Sequence, residues 1–289
     1  MSPQDSSSSS YRGRFAPSPT GALHAGSLVA AVASFLDARA NGGQWHLRID
    51  DIDPPREATG SSEAIQSSLA RHGLEWDNTL LLQSSHQQRF EEALTKLWQT
   101  GMVFRCFCTR QALSASGCCQ VDCDSRSDDT SAHSLRIRIP LGAQLDFEDR
   151  ILGTRAANAS TLPDNFIIRR RDGLVAYQLA AAVDDAQPLY SHVVRGADLV
   201  DSTHLQLWLQ QALDLTPPEY AHVPVVCDAQ GIKLSKQTGA QALDDDQAAN
   251  NLRRALLHLK QPTPPKSLMT PGEILRFATD NWRLAALNR

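Results

Sequence analysis

What this chain lacks narrows its function before any motif is read. No run of about 18 consecutive apolar residues occurs, which excludes a membrane-spanning helix. Basic residues are not in excess: 28 Lys and Arg stand against 32 Asp and Glu, for a net charge of −4. This balance excludes a protein that holds nucleic acid by its overall field, so any RNA contact must come from local basic patches. The polar stretch Met1–Ser10, with its five consecutive serines, has no apolar core of the kind an export signal needs. It reads as a disordered tail, and a cytoplasmic location is expected. The absence of an internal repeat excludes a solenoid.

What is there suits a globular α/β protein. At 289 residues, 42% hydrophobic and 21% charged, the chain can bury one large domain or two small ones. Strand-like Arg12–Ala16, Gln44–Asp50 and Thr79–Leu82 alternate with helical periodicity over Ser27–Ala40, Ser61–His72 and His86–Thr100. That alternation predicts a parallel sheet. Ser134–Pro140 and Asn165–Gln178 read as further strands, the second with a turn at Asp172-Gly173. Ser191–Arg195 and Glu219–Cys227 read as returning strands with a helix over Ser202–Leu213 between them. Asp244–Lys260 and Pro271–Asn281 read as helices joined by a Pro-rich linker, Gln261–Lys266.

Two segments carry chemistry. In Arg14-Phe-Ala-Pro-Ser-Pro-Thr-Gly21, followed by Ala-Leu-His24-Ala-Gly26-Ser27, a strand meets a turn and then a helix. Backbone N–H groups at the start of that helix can face phosphate oxygens, and His24 adds a side-chain donor. Gly26 leaves room for close backbone approach. Far downstream, Lys233-Leu-Ser-Lys236 follows a turn at Asp228–Gly231 and places two ammonium groups on a short loop, which suits a triphosphate. Alone, the first is a helix cap with a histidine and the second a solvated basic loop.

Five of the six cysteines fall between Cys106 and Cys123. Clustered thiols in a chain with no export signal favour a metal over disulfides. Cys106-x-Cys108 and Cys119-x-x-x-Cys123 supply two ligand pairs for a structural Zn²⁺, with Cys118 competing for the third place. Redox use and free thiols are the other readings.

Taken together and in this order, the two chemical segments resemble the signature motifs of class I aminoacyl-tRNA synthetases. The resemblance covers nearly all of Tyr11–Leu287 and is closest to the glutamyl-/glutaminyl-tRNA synthetases. Within these it is closest to the short glutamyl-Q tRNA(Asp) synthetase group. It is carried by the Arg14–Gly21 string, Leu47-Arg-Ile-Asp-Asp-Ile-Asp-Pro-Pro-Arg56, Asp164–Leu179, Val194-Arg-Gly-Ala-Asp-Leu199 and Lys233-Leu-Ser-Lys-Gln237. Few residues follow Lys236, where glutamyl-tRNA synthetases carry a large anticodon-binding region.

The resemblance implies a Rossmann-like catalytic domain split by a β-rich, zinc-containing insertion. Residues 11–105 form its first half, 106–190 the insertion, 191–240 the second half with the KMSKS-like loop, and 241–289 a short helical C-terminal region without an anticodon-binding domain. It implies ATP-dependent activation of L-glutamate without tRNA, with Mg²⁺ accompanying ATP. The glutamyl group then passes to queuosine in the anticodon stem-loop of tRNA(Asp), and a monomer is expected. A compact glutamyl-tRNA synthetase charging the 3′ end, or an inactive glutamate- or RNA-binding paralogue, are the alternatives.

By the same resemblance, Arg14, Phe15, Ala16, Pro17, Ser18, Asp50, Tyr177 and Arg195 line the glutamate site. Guanidinium forks suit its carboxylates, and Asp50 suits its ammonium. His24, Gly26, Ser27, Ser235 and Lys236 hold ATP, with His24, Gly26, Lys233 and Lys236 as the catalytic set. The family usually has glutamate where this chain has Asp50, a retreat of the carboxylate by roughly 1.5 Å. Cys119 stands where the family often has a tyrosine ligand. Read from the residues, Arg169-Arg170-Arg171 is a basic strand edge first and a candidate for RNA phosphates second.

Overall fold

The structure, a computed structural model, describes residues 11–114, 119, 121, 123, 131–140, 142, 143, 145–157, 162–227, 231, 234 and 241–288. The N-terminal part runs β1 (Arg12–Phe15), α1 (Ala25–Ala40), β2 (Gln44–Ile49), α2 (Ser61–Arg71), β3 (Leu81–Leu82) and α3 (Gln87–Gln99). The middle holds β4 (Val103–Cys106), β5 (Ser134–Arg138), β6 (Phe147–Asp149), β7 (Gly153–Arg155), β8 (Asn165–Arg169) and α4 (Tyr177–Asp185). The chain closes with β9 (His192–Gly196), α5 (Val200–Ala212), β10 (Glu219–Val223), α6 (Ala248–His258) and α7 (Pro271–Asp280).

The expected parallel α/β arrangement is present. β1, β2 and β3 pair in parallel, with α1 and α2 as crossovers. β9 and β10 also pair in parallel and set Arg195 opposite His222. The two sheets meet where β1 lies beside β9: Ser191 N donates to Arg12 O at 3.0 Å, and Arg12 N donates to Ser191 Oγ at 2.8 Å. The first and second parts of the parallel framework, far apart in the chain, thus present their strand ends to one region. Ligands in open α/β folds bind at such ends.

The β-rich middle divides between two sheets. β4, β5 and β8 form their own antiparallel sheet, whereas β6 pairs in parallel with β10 and antiparallel with β7. Asp149 secures the β6 connection by accepting from the backbone of Ile151, Leu152 and His222 at 2.9, 2.8 and 3.3 Å.

One reading needs correction. Within Asn165–Gln178, β8 ends at Arg169 and the expected turn falls at Gly173 (φ 88°), but the chain does not continue as a second strand to Gln178: Tyr177 opens α4. The Leu174-Val-Ala-Tyr-Gln-Leu alternation mimics a strand. The following Leu179-Ala-Ala-Ala-Val183 run forms helix readily, and Leu179 to Asp185 are all buried, with α3 and α5 packed against the helix. Tertiary burial on all sides replaced the one-sided pattern that sequence periodicity detects.

α1 is likewise an interior helix, buried at every position from Leu28 to Ala38 except Ala30. It packs on β1, β2 and β9 and, from the other side, receives α6 and α7. The Gln261–Lys266 linker between those helices is held down by Arg253, which donates to Pro264 O, Pro265 O and Leu268 O at 2.6, 2.9 and 2.6 Å. A capping box between Thr270 and Glu273 starts α7. Among the described residues no helix is long and apolar enough to cross a membrane.

Asp37 of α1 gathers four parts of the chain. It is 1% exposed and accepts from Tyr11 Oη (2.5 Å), Arg150 NH1 (2.6 Å), Trp282 Nε1 (3.0 Å). Truncating it strands a buried phenol, an indole N–H and a half-buried guanidinium. Asp37→Ala is expected to cost about 3 kcal/mol, read as a lower urea midpoint with an unchanged slope.

A two-chambered candidate active site

The start of α1 differs from the expected open cluster of N–H groups. His24 is its N-cap, in extended backbone, and its Nδ1 accepts from Gly26 N at 3.1 Å and Ser27 N at 3.3 Å. The imidazole therefore takes over two orphan donors of the helix. An accepting Nδ1 leaves the neutral ring its proton on Nε2, a donor. Gly26 permits this: a Cβ there would lie 3.1 Å from His24 Cε1 and 3.2 Å from Nδ1.

His24, Gly26 and Ser27 line a cavity of about 160 Å³ together with Gly196, Asp198, the Val223–Val226 segment after β10, and Leu234. Leu234 N donates to Val226 O at 2.8 Å, and Leu234 O lies 3.6 Å from where a Gly26 Cβ would stand. Leu234 is the centre of the downstream basic motif, so the backbone brings the two distant segments face to face. Lys233, Ser235 and Lys236 lie outside the described residues.

A second cavity of about 130 Å³, roughly four water volumes, adjoins the first. Its lining includes Arg14, Phe15, Ala16, Arg48, Asp50, Tyr177 and Arg195. Ala30 and Gly196 belong to both linings, so the chambers share a wall. Of the residues expected at an amino-acid site, Pro17 and Ser18 line neither. Pro17 O instead accepts from Asp50 N at 3.0 Å and so fixes the backbone beyond β2, while Ser18 is exposed.

The small chamber rests on a buried ionic network. Asp185, at the end of α4 and fully buried, receives Arg14 Nε (3.1 Å) and NH2 (2.7 Å) and Arg48 NH1 (2.9 Å). Arg48, itself 1% exposed, also donates from Nε to Asp50 Oδ1 at 2.6 Å and from NH2 to Oδ2 at 3.3 Å. Arg14 thus has its fork engaged by a protein carboxylate. Burial alone would raise the Asp185 carboxyl, but Arg14 and Arg48 hold it well below the usual range. Burial pushes the Asp50 carboxyl up, only partly opposed by Arg48. An added cation beside Asp50 would favour its ionised form.

Arg195 is positioned differently. It is buried, with Nε donating to His222 Nε2 at 3.2 Å and NH2 to Thr203 Oγ1 at 2.7 Å and Gln206 Oε1 at 2.8 Å. Its NH1 is buried with no hydrogen-bond partner among the described residues and lies 3.9 Å from Asp185 Oδ2. A guanidinium nitrogen in that state is a ready donor for an anionic ligand. Tyr177, at the first turn of α4, is 39% exposed and stands at the chamber's edge.

Sequence reasoning missed Arg48, Asp185 and His222. The available signal was the pair Asp184-Asp185 closing an Ala-rich apolar run, since acids in an interior helix require partners. Asp184 has its own set: His86 Nδ1 (2.8 Å), Gln83 Nε2 (2.9 Å) and Arg89 NH1 (3.2 Å).

Away from the chambers, the sulfurs of Cys106, Cys108, Cys119 and Cys123 all lie within 4.8 Å of one another. The measured separations of 3.5, 3.7 and 3.5 Å among the last three suit a tetrahedral ion, for which Zn–S bonds of 2.3 Å give about 3.8 Å. Cys118 lies outside the described residues. Arg171 donates to Phe107 O (2.9 Å) and Cys108 O (3.0 Å), tying β8 to this knuckle. Arg169 pairs with Glu91, and Arg170 with Asp53 and Asp172. The basic triplet, a candidate for RNA phosphates or else a basic strand edge, therefore has protein partners throughout.

The Asp185 clamp predicts a pH signature. Its folded value lies below the unfolded value near 3.9, so its contribution is fully present above about pH 4 and is lost as pH falls through the folded value. Asp185→Asn leaves Arg14 and Arg48 buried and undercompensated and is expected to cost about 3–5 kcal/mol at neutral pH. Urea unfolding across a pH series should show the gap from the unsubstituted protein narrowing below pH 4.

Comparison with known proteins agrees with this geometry. The family model for the catalytic domain of class I tRNA synthetases (E and Q) matches residues 10–117 and 115–260. The glutamyl-Q tRNA(Asp) synthetase of Pseudomonas fluorescens is 43% identical over 98% of this chain and 96% of its own length. That of Neisseria meningitidis serogroup B is 42% identical, covering 94% and 95%. The crystal structure of glutamate-tRNA synthetase from Elizabethkingia anophelis superposes with a TM-score of 0.80 at 23% identity, covering 96% of this chain but only 66% of that synthetase. The fold is that of a class I synthetase, with its parallel sheet and a cysteine cluster able to bind zinc. By sequence match along nearly its whole length, this chain belongs to the class I tRNA synthetases of the glutamate and glutamine type, within the glutamyl-Q tRNA(Asp) synthetase group.

Proposed function

We propose that this chain, an ATP-dependent ligase by family, activates L-glutamate in the absence of tRNA and transfers it to queuosine at the wobble position of tRNA(Asp). The observation that carries the reading is the shared wall between the two chambers. A small chamber with a guanidinium nitrogen that has no hydrogen-bond partner among the described residues suits a compact acidic amino acid. The adjoining chamber, between the His24 helix start and Leu234, suits a nucleotide. Ala30 and Gly196 border both chambers, so a carboxylate bound in one and a phosphate bound in the other can meet beside them for direct attack.

In this reading Arg195 NH1 binds the α-carboxylate and Tyr177 donates its phenol. Asp50 takes the ammonium on Oδ2, where Arg48 is more distant at 3.3 Å. Arg14, held by Asp185, contributes positive potential for the side-chain carboxylate. The α-carboxylate oxygen attacks the α-phosphorus of ATP, which enters as its Mg²⁺ complex, and pyrophosphate leaves. His24 Nε2–H, aimed by the Nδ1 cap, stabilises the charge that develops on the phosphate, with Lys233 and Lys236 serving the departing pyrophosphate. A hydroxyl of queuosine's cyclopentenediol then attacks the activated carbonyl, and AMP leaves. Cys106, Cys108, Cys119 and Cys123 would hold Zn²⁺ in a structural role, their four thiolates leaving it no part in the chemistry.

Glutamate-dependent ATP–pyrophosphate exchange without tRNA tests the first step. Exchange that requires tRNA, or another amino acid, would falsify it. His24→Ala is expected to lower the exchange kcat by about 10²- to 10³-fold, since it removes a donor to the developing charge. For the second step, tRNA(Asp) carrying queuosine should accept glutamate even after its 3′-terminal adenosine is removed, whereas tRNA(Asp) with unmodified guanine at the wobble position should accept none. Incorporation on the unmodified tRNA that is lost with the 3′-terminal adenosine would redirect the assignment to the 3′ end.

Elemental analysis should find about one zinc per chain, four thiolates making one tetrahedral site. Cys123→Ser should lose the metal and lower the melting temperature, whereas Cys227→Ser, at an exposed thiol that is not part of the cluster, should change neither.

A further inference from the structure

Arg195 is held by a device that none of the preceding steps requires. His222 sits beside it on β10, fully buried, in register with Arg195 across the β9–β10 pair. Its Nδ1 lies 2.5 Å from Asp149 Oδ2. The Asp149 carboxylate also accepts three backbone N–H groups, from Ile151, Leu152 and His222. Burial alone would raise the carboxyl, but the hydrogen bonds from His222 and these amides hold it below the usual range, so it is ionised. An ionised Asp149 fixes the Nδ1–H tautomer of His222. The opposite nitrogen, Nε2, is then a lone pair.

That lone pair is what Arg195 Nε–H needs. The contact is 3.2 Å, and Thr203 Oγ1 lies 2.9 Å from the same nitrogen. The other tautomer, or a protonated ring, would set an N–H against the guanidinium N–H. Burial, as the largest influence, disfavours the charged imidazole despite Asp149. With Nε held by His222 and NH2 held by Thr203 and Gln206, the planar guanidinium has one remaining direction for NH1. NH1 is the nitrogen with no hydrogen-bond partner among the described residues, its contact with Asp185 Oδ2 being 3.9 Å.

We propose that Asp149 and His222 are positioning residues for amino-acid recognition: Asp149 sets the tautomer of His222, and His222 aims Arg195 NH1 at the substrate carboxylate. This rests on the glutamate reading of the small chamber. The carboxylate that begins the chain of contacts comes from β6, in the middle of the sequence, and the sheet pairing of β6 with β10 delivers it.

The test separates aiming from mere packing. His222→Leu fills the space but offers no lone pair. His222→Gln can place an amide oxygen near the Nε2 position. Asp149→Asn keeps the shape but permits the other histidine tautomer, as loss of a tautomer-setting carboxylate does elsewhere. In ATP–pyrophosphate exchange, His222→Leu and Asp149→Asn are expected to raise the KM for glutamate by about 10- to 100-fold while leaving the KM for ATP within about twofold. His222→Gln should recover most of the loss. Equal rises in both KM values, or no recovery by glutamine in a folded protein, would mean a packing role and overturn the assignment. Should His222→Leu fail to fold, a wild-type glutamate KM in Asp149→Asn overturns it equally. An unsubstituted enzyme with no glutamate-dependent exchange refutes the substrate reading instead. Normal exchange in that enzyme, with variants at its KM, refutes the aiming mechanism alone.

Discussion

The Asp185 carboxylate is the constraint on which the centre of this molecule depends. It lies at the C-terminal end of α4, where the helix dipole disfavours negative charge, and it is fully buried. It is tolerable there because Arg14 from β1 and Arg48 from β2 meet it, and Arg48 in turn meets Asp50. Each member makes the next affordable, so strand ends and helix end must arrive together. Such networks add little net stability compared with apolar packing, but breaking one leaves a charge without compensation. The result is a rigid floor for the small chamber.

The two chambers divide the chemistry by the kind of donor each presents. The small one offers side-chain cations held by carboxylates or by a neutral imidazole. The larger one offers the start of α1, where His24 has already satisfied two backbone donors through Nδ1. The histidine therefore faces the chamber in a defined tautomeric state. Beside each chamber an imidazole is held in one orientation: His24, lining the larger, by backbone amides, and His222, behind Arg195 of the smaller, by Asp149. Both depend on one nitrogen being occupied so that the other has a single role.

Around this centre the remaining elements act as braces. α6 and α7 cover α1 from outside, and Asp37 links Tyr11, Arg150 and Trp282 to the same helix. The cysteine knuckle, tied to β8 through Arg171 and to Asn165 through Cys119 N, steadies the turn that leads into α4. That turn places Tyr177 at the edge of the small chamber. A metal-sized thiol cluster thus bears on the small chamber through one strand and one turn, without lining it.

Local order carried most of the readable signal. The strand–turn–helix at Arg14–Ser27, the alternation of strands and helices, and the clustered cysteines are all patterns within a few tens of residues, and periodicity and turn chemistry report them directly. The family likeness rests on those same short strings. What the amino-acid order alone could not settle was which charged groups meet. Arg14 reads as a free fork until Asp185, far along the chain, is folded against it. Tyr177 and Gln178, the start of α4, read as strand because burial of the helix by α3 and α5 removes the one-sided pattern. Asp149 reads as part of an insertion until β6 pairs with β10. Partner choice among buried charges is a property of three-dimensional packing, since the cost of an unpaired charge is incurred only once water has been excluded.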